Sequence, residues 1–445
     1  MFPTVTRVNS PSIFSGRYPG GHGLLGNSVY MAEVDPDRVL SASDLENLRA
    51  IDRATGGKLL TAPSLGELLD EQGRVLFAAS SGSTGSGALM NHRGAGAGLV
   101  HHEVTIPDTL DRVVRHLLGP VPDVPDGGPE IPLVARAVDA VLRIGVDRAD
   151  ADVLAAWLTE PDGTAHDHGI GSPEAEAVLR AVDAEIGRLL EGLSERGILE
   201  RTNVLVTSDH GFSTQVGTQS LTALLVSAGL KTSPGSSDVV VADGSIHVRE
   251  GGPERIARIV RLLQETPWVG PVFTRSATAG SVEGALPGTL SFGAVGWAHE
   301  RSADILISAD WTDDPNERGW AGTTLRPGVA GHGTSSPWDI RATLVAAGPA
   351  IRQGVVSEVP TGNIDLTPTA LHLVGARVPG GFDGRVLTEL LRGGPDPSSV
   401  RVVPAPLTTE VELAGLTYRL TVERSRVGST VYFDGTRVER RRRDD

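Results

Sequence analysis

The sequence predicts an α/β protein, a mostly parallel sheet sandwiched by helices, with a cap insertion and a small C-terminal β appendage. Three observations predict it. Short apolar runs recur through the middle of the chain: "ADVLAAWLTE" from Ala151, "NVLVTSDHG" from Asn203, "ADILISAD" from Ala303 and "ATLVAAGPA" from Ala342. Each ends in small or acidic residues and is followed by a helical pattern, as in sheets covered by helices on both faces. From Val402 the pattern changes to short alternating runs, "EVELAGL", "YRLTVER" and "TVYFDGTRVER", the period of strands with one wet face.

After the first run, Ser172 is placed to cap a helix and Pro173 to start it. Val178, Leu179, Val182, Ile186, Leu189, Leu190 and Leu193 hold one apolar face, and Gly197 is the stop. The interval from Ser28 to about Asp150 lacks this rhythm and carries the Gly/Ser-rich "SSGSTGSGALMNHRGAGAGL". It is read as a cap or loop region over the carboxyl edge of the sheet. No Gly-Lys-Ser/Thr follows those glycines, so they do not spell a phosphate-binding P-loop. Asp434-Gly435 is read as a hairpin turn in the closing β segment.

The 445 residues suffice for a large catalytic domain with added pieces, and 39% hydrophobic with 21% charged residues is a globular composition. No apolar run reaches the roughly 18 residues a membrane span needs. A net charge of -15 argues against stable binding to nucleic-acid backbone. The basic tail "RVERRRRDD" from Arg437 is read as a frayed, solvated terminus. The chain has no cysteine, which removes disulfides, thiolate metal sites and cysteine nucleophiles. No basic n-region and apolar h-region follow Met1, so the chain as written is expected to be cytoplasmic.

Three motifs carry chemistry. "EPDGTAHDHG" places Asp162 and His166 four residues apart in the loop after an apolar strand, where an open α/β sheet builds its site. "SDHG" puts Asp209 beside His210 after the next strand, and "GHGT" sets His332 between glycines. Carboxylate with imidazole suits zinc or a similar divalent ion, and three protein ligands with an open position is the catalytic pattern. Asp162, His166 and His332 can fill one such site, with Asp209 and His210 supplying a second. Two ions about 4 Å apart activate an attacking oxygen and stabilise a leaving one. Singly, each motif has a plainer reading as a core histidine, a turn aspartate or a glycine-loop residue; their joint occurrence is what points to chemistry.

This order of strand-end Asp/His pairings resembles the alkaline phosphatase superfamily, in particular its type I phosphodiesterase/nucleotide pyrophosphatase branch. The resemblance runs from Phe2 to about Leu373, where "GNIDLTPTALHLVG" is similar to that family's closing helix. It implies a nucleophilic Thr or Ser nine residues before Ser15 of "SGRYP", which is Thr6. It implies further that Asn27 donates its side-chain amide to a phosphoryl oxygen, that Thr6 also touches the second ion, and that the cofactors are two divalent metals, zinc or else manganese. The activity implied is hydrolysis of phosphate diesters and phosphoric anhydrides through a phosphothreonine, on a small-molecule phosphate ester. Related sulfatases carry a Cys/Ser-x-Pro-x-Arg signature; "TRVNS" has Val8 and Ser10 at its last two fixed positions, which disfavours sulfate esters. His22 in "GGHG" and the His-Glu-Arg cluster at His299 are read as structural, the latter as a salt-bridged turn.

On this reading residues 1–27 are the nucleophile segment, 28–150 the cap, 151–400 the metal-binding core and 401–445 the β appendage with its basic tail. Two departures from the family pattern stand out. Only five residues precede Thr6, so the family's first apolar strand and the Asp that ends it are absent as written, and a natural start upstream is expected. Arg7 follows the nucleophile where nucleotide-cleaving members often carry an aromatic. The alternatives are a phosphomonoesterase, phosphonate hydrolase or phosphomutase of the same superfamily, and a metal-binding pseudoenzyme.

Overall fold

The computed structural model describes residues 1–442. The chain enters the interior at once: Phe2, Val5 and Val8 are buried, and helix α1 (Thr6–Ser15) begins directly after extended Val5. Gly16 closes α1 with φ 66°. A Cβ there would lie 2.6 Å from the Phe382 ring, so both backbone and space require glycine.

Strands β1 (Leu76–Ser80), β2 (Gly98–His101) and β3 (Val153–Trp157) form a parallel array with β1 in the middle. Helix α2 (Thr84–Met90) links the first two, and Ser10 of α1 donates to Ser86 O on it. Residues 28–150 therefore supply three of the four strands of this sheet, the third being Thr105–Ile106, which corrects their reading as a cap or loop region. All five residues of β1 are buried. "LFAAS" escaped notice because a short strand buried on both faces has no alternation, and alanine and serine make a weak apolar run.

After β3 come α3 (Asp162–His168) and the long helix α4 (Pro173–Glu195). The predicted cap is present, with Ser172 Oγ accepting from Ala175 N at 3.1 Å, and Gly197 takes φ 65° just past the end. Leu179, counted on the apolar face, is instead 56% exposed. Strand β4 (Val204–Thr207) and β5 (Ser213–Gly217) flank the Asp209 loop. Strands β6 (Val269–Thr274) and β7 (Ile305–Ala309) pair antiparallel in a separate five-stranded sheet. Strand β8 (Ala330–Gly331) pairs antiparallel with β5, and β9 (Leu344–Ala347) antiparallel with β4. Among the described residues β3 and β4 each keep one edge without a strand partner, and their side chains are mostly half-buried.

Helix α5 (Leu366–Leu373) precedes the closing sheet of β10 (Leu407–Leu413), β11 (Leu416–Val427) and β12 (Thr430–Arg442). Two corrections fall here. The hairpin turns at Gly428-Ser429, with Gly428 at φ 60°, whereas Asp434 is the extra residue of a bulge opposite Glu423 and Arg424. Residues Arg437–Arg442 are strand rather than frayed tail. The β appendage packs onto the rest of the fold: Tyr418, Leu420, Val422 and Phe433 join the core built on β6 and β7, and Phe2 lies 5.9 Å from Phe273 and 5.6 Å from Phe433. Each such side chain contributes roughly 2 kcal/mol of burial, enough to tie chain start to chain end. Among the described residues, no helix is long and apolar enough to cross a membrane.

Candidate active site

Three predicted residues meet first. The segment expected as a loop is instead helix α3, which begins at Asp162, so Asp162 and His166 lie one turn apart on one face. Asp162 Oδ1 is 3.6 Å from His166 Nε2 and 3.4 Å from His332 Nε2, the latter arriving from the loop after β8. One donor atom from each residue lies within 4.8 Å of the others. The loop before α3 is held by buried Glu160, which accepts from Thr164 N, Thr164 Oγ1 and Glu130 N at 3.1–3.2 Å. Both rings are aimed by main chain: His166 Nδ1 donates to Ala330 O at 2.9 Å and His332 Nδ1 to Thr4 O at 2.6 Å. That leaves each Nε2 lone pair facing Asp162.

The second cluster is built differently. Asp209 and His210 sit on one tight loop, with Asp209 Oδ2 at 3.2 Å from His210 Nε2. Asn363, just before α5, donates to Asp209 O at 2.6 Å and fixes that loop. His210 Nδ1 donates to Gly211 O at 3.0 Å, so its Nε2 accepts from the Thr6 hydroxyl at 3.3 Å. The His210 and His332 rings stack at 3.5 Å and 14°, joining the two clusters. Phe212 lies under the imidazoles, 4.9 Å from His166 and 5.4 Å from His332. Thr4, Phe212, Ala330 and Asn363 are functional positions the sequence reading missed; only Phe212, directly after "SDHG", had a signal, as an aromatic next to a ligand motif.

Charge is concentrated here. Burial pushes the Asp162 carboxyl up, but His332, His210 and His166 outweigh it and hold the group at about 2. Burial, opposed by Asp209, lowers His210 to about 4; His332, which burial alone would lower, is raised by Asp162. Asp162 Oδ1 and Asp209 Oδ2 are buried without a hydrogen bond. A carboxylate oxygen in that state is costly unless a cation sits against it. The oxygen and nitrogen donor set therefore fits a divalent ion.

Asn27 stands at the head of α1, where Arg7 N donates to Asn27 Oδ1 at 3.0 Å. With Oδ1 engaged, Nδ2 is the free donor. His22 is fully buried, its Nε2 bonded to Ser12 Oγ at 2.9 Å and its Nδ1 accepting from Leu24 N, and burial lowers it to about 3, all of which fits a structural residue. The cluster at His299 is held by carbonyls rather than a salt bridge: Arg301 donates to Gly23 O, Leu59 O and Lys58 O.

Known proteins share this frame. The chain is 27% identical over 214 residues to venom phosphodiesterase 2 of Crotalus adamanteus, covering 47% of this chain and 22% of that protein. It is 37% identical over 79 residues to ectonucleotide pyrophosphatase/phosphodiesterase family member 7 of Homo sapiens, covering 15% of this chain and 17% of that protein. The chain thus spans about a fifth of the length of the curated relatives it matches. Wild-type alkaline phosphatase PafA superposes with a TM-score of 0.64 at 16% identity, over 88% of this chain and 90% of that one. Murine ectonucleotide pyrophosphatase/phosphodiesterase 5 does so with 0.57 at 17%, over 88% and 90%. At such identities the likeness establishes the fold, an alkaline phosphatase-like α/β architecture. The model of one family, described as type I phosphodiesterase / nucleotide pyrophosphatase, matches residues 1–327. With most of its length matched, the chain belongs to the type I phosphodiesterase/nucleotide pyrophosphatase family.

Proposed function

We propose that this chain is a metal-dependent hydrolase of phosphate diesters and phosphoric anhydrides, acting through a phosphothreonine at Thr6. One observation carries the reading: the Thr6 hydroxyl donates to His210 Nε2 at 3.3 Å, at the junction of two Asp/His clusters whose buried carboxylate oxygens lack partners. The family and the names of its venom relatives support the substrate class.

Two divalent ions, one held by Asp162, His166 and His332 and one by Asp209, His210 and Thr6, would supply Lewis-acid stabilisation of charge and ionisation of the attacking hydroxyl. Zinc suits the donors, with manganese as the alternative. Thr6 gives up its proton to solvent and its oxygen attacks phosphorus in line. The bond from phosphorus to the leaving oxygen breaks, and the leaving group takes the electron pair. Asn27, its amide oriented by Arg7 N, donates from Nδ2 to a non-bridging phosphoryl oxygen as charge develops. Water then cleaves the phosphothreonine, returning Thr6 and releasing the phosphoryl product. The Thr6 side chain is presented for this by the start of α1, whose register is fixed because Thr4 Oγ1 donates to Thr334 O at 2.8 Å.

The test is hydrolysis of bis(p-nitrophenyl) phosphate by the purified chain with zinc or manganese, beside Thr6→Ala, with intact mass after acid quenching. Turnover that the variant and a chelator both abolish, and a phosphorylated wild-type chain, are expected. Undiminished turnover by Thr6→Ala would overturn the reading, and a silent wild type that still binds metal would make the chain a pseudoenzyme.

A further inference from the structure

Arg7 presents an arginine beside the proposed nucleophile with no acid to neutralise it. Its guanidinium donates from one terminal nitrogen to Ser83 Oγ at 2.8 Å, and Ser83 itself caps α2. Its Nε is buried without a partner, and it forms no ion pair among the described residues. The charges acting on it are the carboxylates of Asp162, Asp209 and Asp243, which oppose the effect of its burial. Two of those three are the carboxylates assigned above to cations, so with cations bound they no longer offset the arginine. A half-buried guanidinium whose donors outnumber its acceptors is unfavourable in the free protein and favourable once an anion arrives.

The arginine is also held in place. Its backbone N fixes Asn27, and Ser83 holds one arm of the fork, so the side chain loses little freedom when it binds. Ser83 engages one terminal nitrogen and Nε has no partner, so donors of the fork remain for an anion bound beside Thr6, the preceding residue of the chain.

Resting on the phosphoryl-transfer reading above, we propose that Arg7 is a specificity-determining residue that selects substrates carrying a second negative charge next to the reacting phosphoryl oxygen atoms. The shared chemistry is one further anionic oxygen. It has two sources: the extra charge of a monoester on the same phosphorus, or a neighbouring phosphate in an anhydride. A neutral substituent offers the guanidinium no charge to pair with, and an aromatic one offers only stacking, which is weaker than a charge-assisted contact.

The experiment uses the full chain with zinc and the variants Arg7→Gln and Arg7→Lys. The kcat/KM ratios of p-nitrophenyl phosphate and of ADP to bis(p-nitrophenyl) phosphate are measured, with binding of orthophosphate, pyrophosphate and diphenyl phosphate to Thr6→Ala and to Thr6→Ala combined with Arg7→Gln. The charge-assisted contact predicts that Arg7→Gln lowers at least one ratio by about tenfold to hundredfold, mainly through KM, and that Arg7→Lys recovers part of it. Binding follows suit: weakening of both orthophosphate and pyrophosphate against diphenyl phosphate assigns the contact to the reacting phosphorus, and weakening of pyrophosphate alone assigns it to a neighbouring phosphate. Equal loss on all three substrates would make Arg7 a positioning residue for Ser83 and Asn27 and overturn the proposal, as would no loss on any. Failure of the underlying reading looks different, because Thr6→Ala would then retain wild-type turnover whatever stands at position 7.

Discussion

The two Asp/His clusters share a wall yet are assembled by different means. Asp162, His166 and His332 come from two distant segments, and both imidazoles are aimed by carbonyls of elements packed against them, Ala330 and Thr4. Asp209 and His210 are neighbours on one loop, His210 is aimed by the adjacent Gly211 carbonyl, and the third member is the Thr6 hydroxyl. The first cluster thus offers three ionic or imidazole donors braced by tertiary structure. The second offers two, braced locally and by Asn363. On the proposed function the lesson is one of division of labour: a braced, three-ligand site is suited to keep its ion, whereas a site that includes the proposed nucleophile would have to let its members change partners during a turnover. The His210 Nε2 lone pair shows this, since it can serve the Thr6 proton or a cation but not both at once.

The comparison is sharpened most by removing the group that belongs to the second cluster and to the reaction. Thr6→Ala is expected to cut kcat/KM on a phosphate diester by at least about a thousandfold while leaving the unfolding midpoint unchanged within a few degrees. Steady-state kinetics and thermal melts check it. The next largest effect separates the clusters by metal. His332→Ala is expected to weaken the tighter zinc ion by at least about a hundredfold, whereas His210→Ala leaves that ion in place. Zinc content after graded chelation reads both, and a His210 variant stripped of all metal would show that the clusters act as one.

Asn27→Ala comes third. On the proposed function it removes a donor from the phosphoryl oxygen and not from either ion, so kcat should fall by about a hundredfold with zinc content unchanged. The smallest effect keeps the comparison clean. Burial raises Asp310 to about 6, with Trp311 N at 3.0 Å and Arg440 only partly opposing it. A carboxyl raised above its unfolded value near 4 contributes stability that is fully present below about pH 4 and lost as pH rises through about 6. The loss, on the order of 2–3 kcal/mol, falls where protonated imidazoles would also release metal. Melts of chelated protein from pH 4 to 8 should flatten in Asp310→Asn, while metal release in the same window should persist.

How much of this was legible depends on what carried each feature. Asp162 and His166 were legible because they follow an apolar strand four residues apart, and Asp209-His210 because both follow the next one; that the first pair stands on a helix, one turn apart on one face, was not. The helix from Pro173 was legible from its cap and its period. Strand β1 was not, since "LFAAS" is buried on both faces and its small residues give no period. Asp434-Gly435 has the composition of a turn, but the strand pair continues through it as a bulge because Gly428-Ser429 had already closed the hairpin. The C-terminal strands were legible as strands; that they would cover β6 and β7 with Tyr418 and Phe433 was not.

What the sequence determined by itself is the chemical type of each donor and its local spacing: carboxylate and imidazole at strand ends, a hydroxyl nine residues ahead of "SGRYP", an arginine next to it. What only tertiary structure decided is which donors meet and which way they face. His332 is oriented by the Thr4 carbonyl, 328 residues away, and Asp209 is held by Asn363 across 154. Every residue carries a backbone carbonyl, so an aiming carbonyl has no signature in the letters, and only the path of the folded chain selects the one that sets an imidazole's lone pair toward the site.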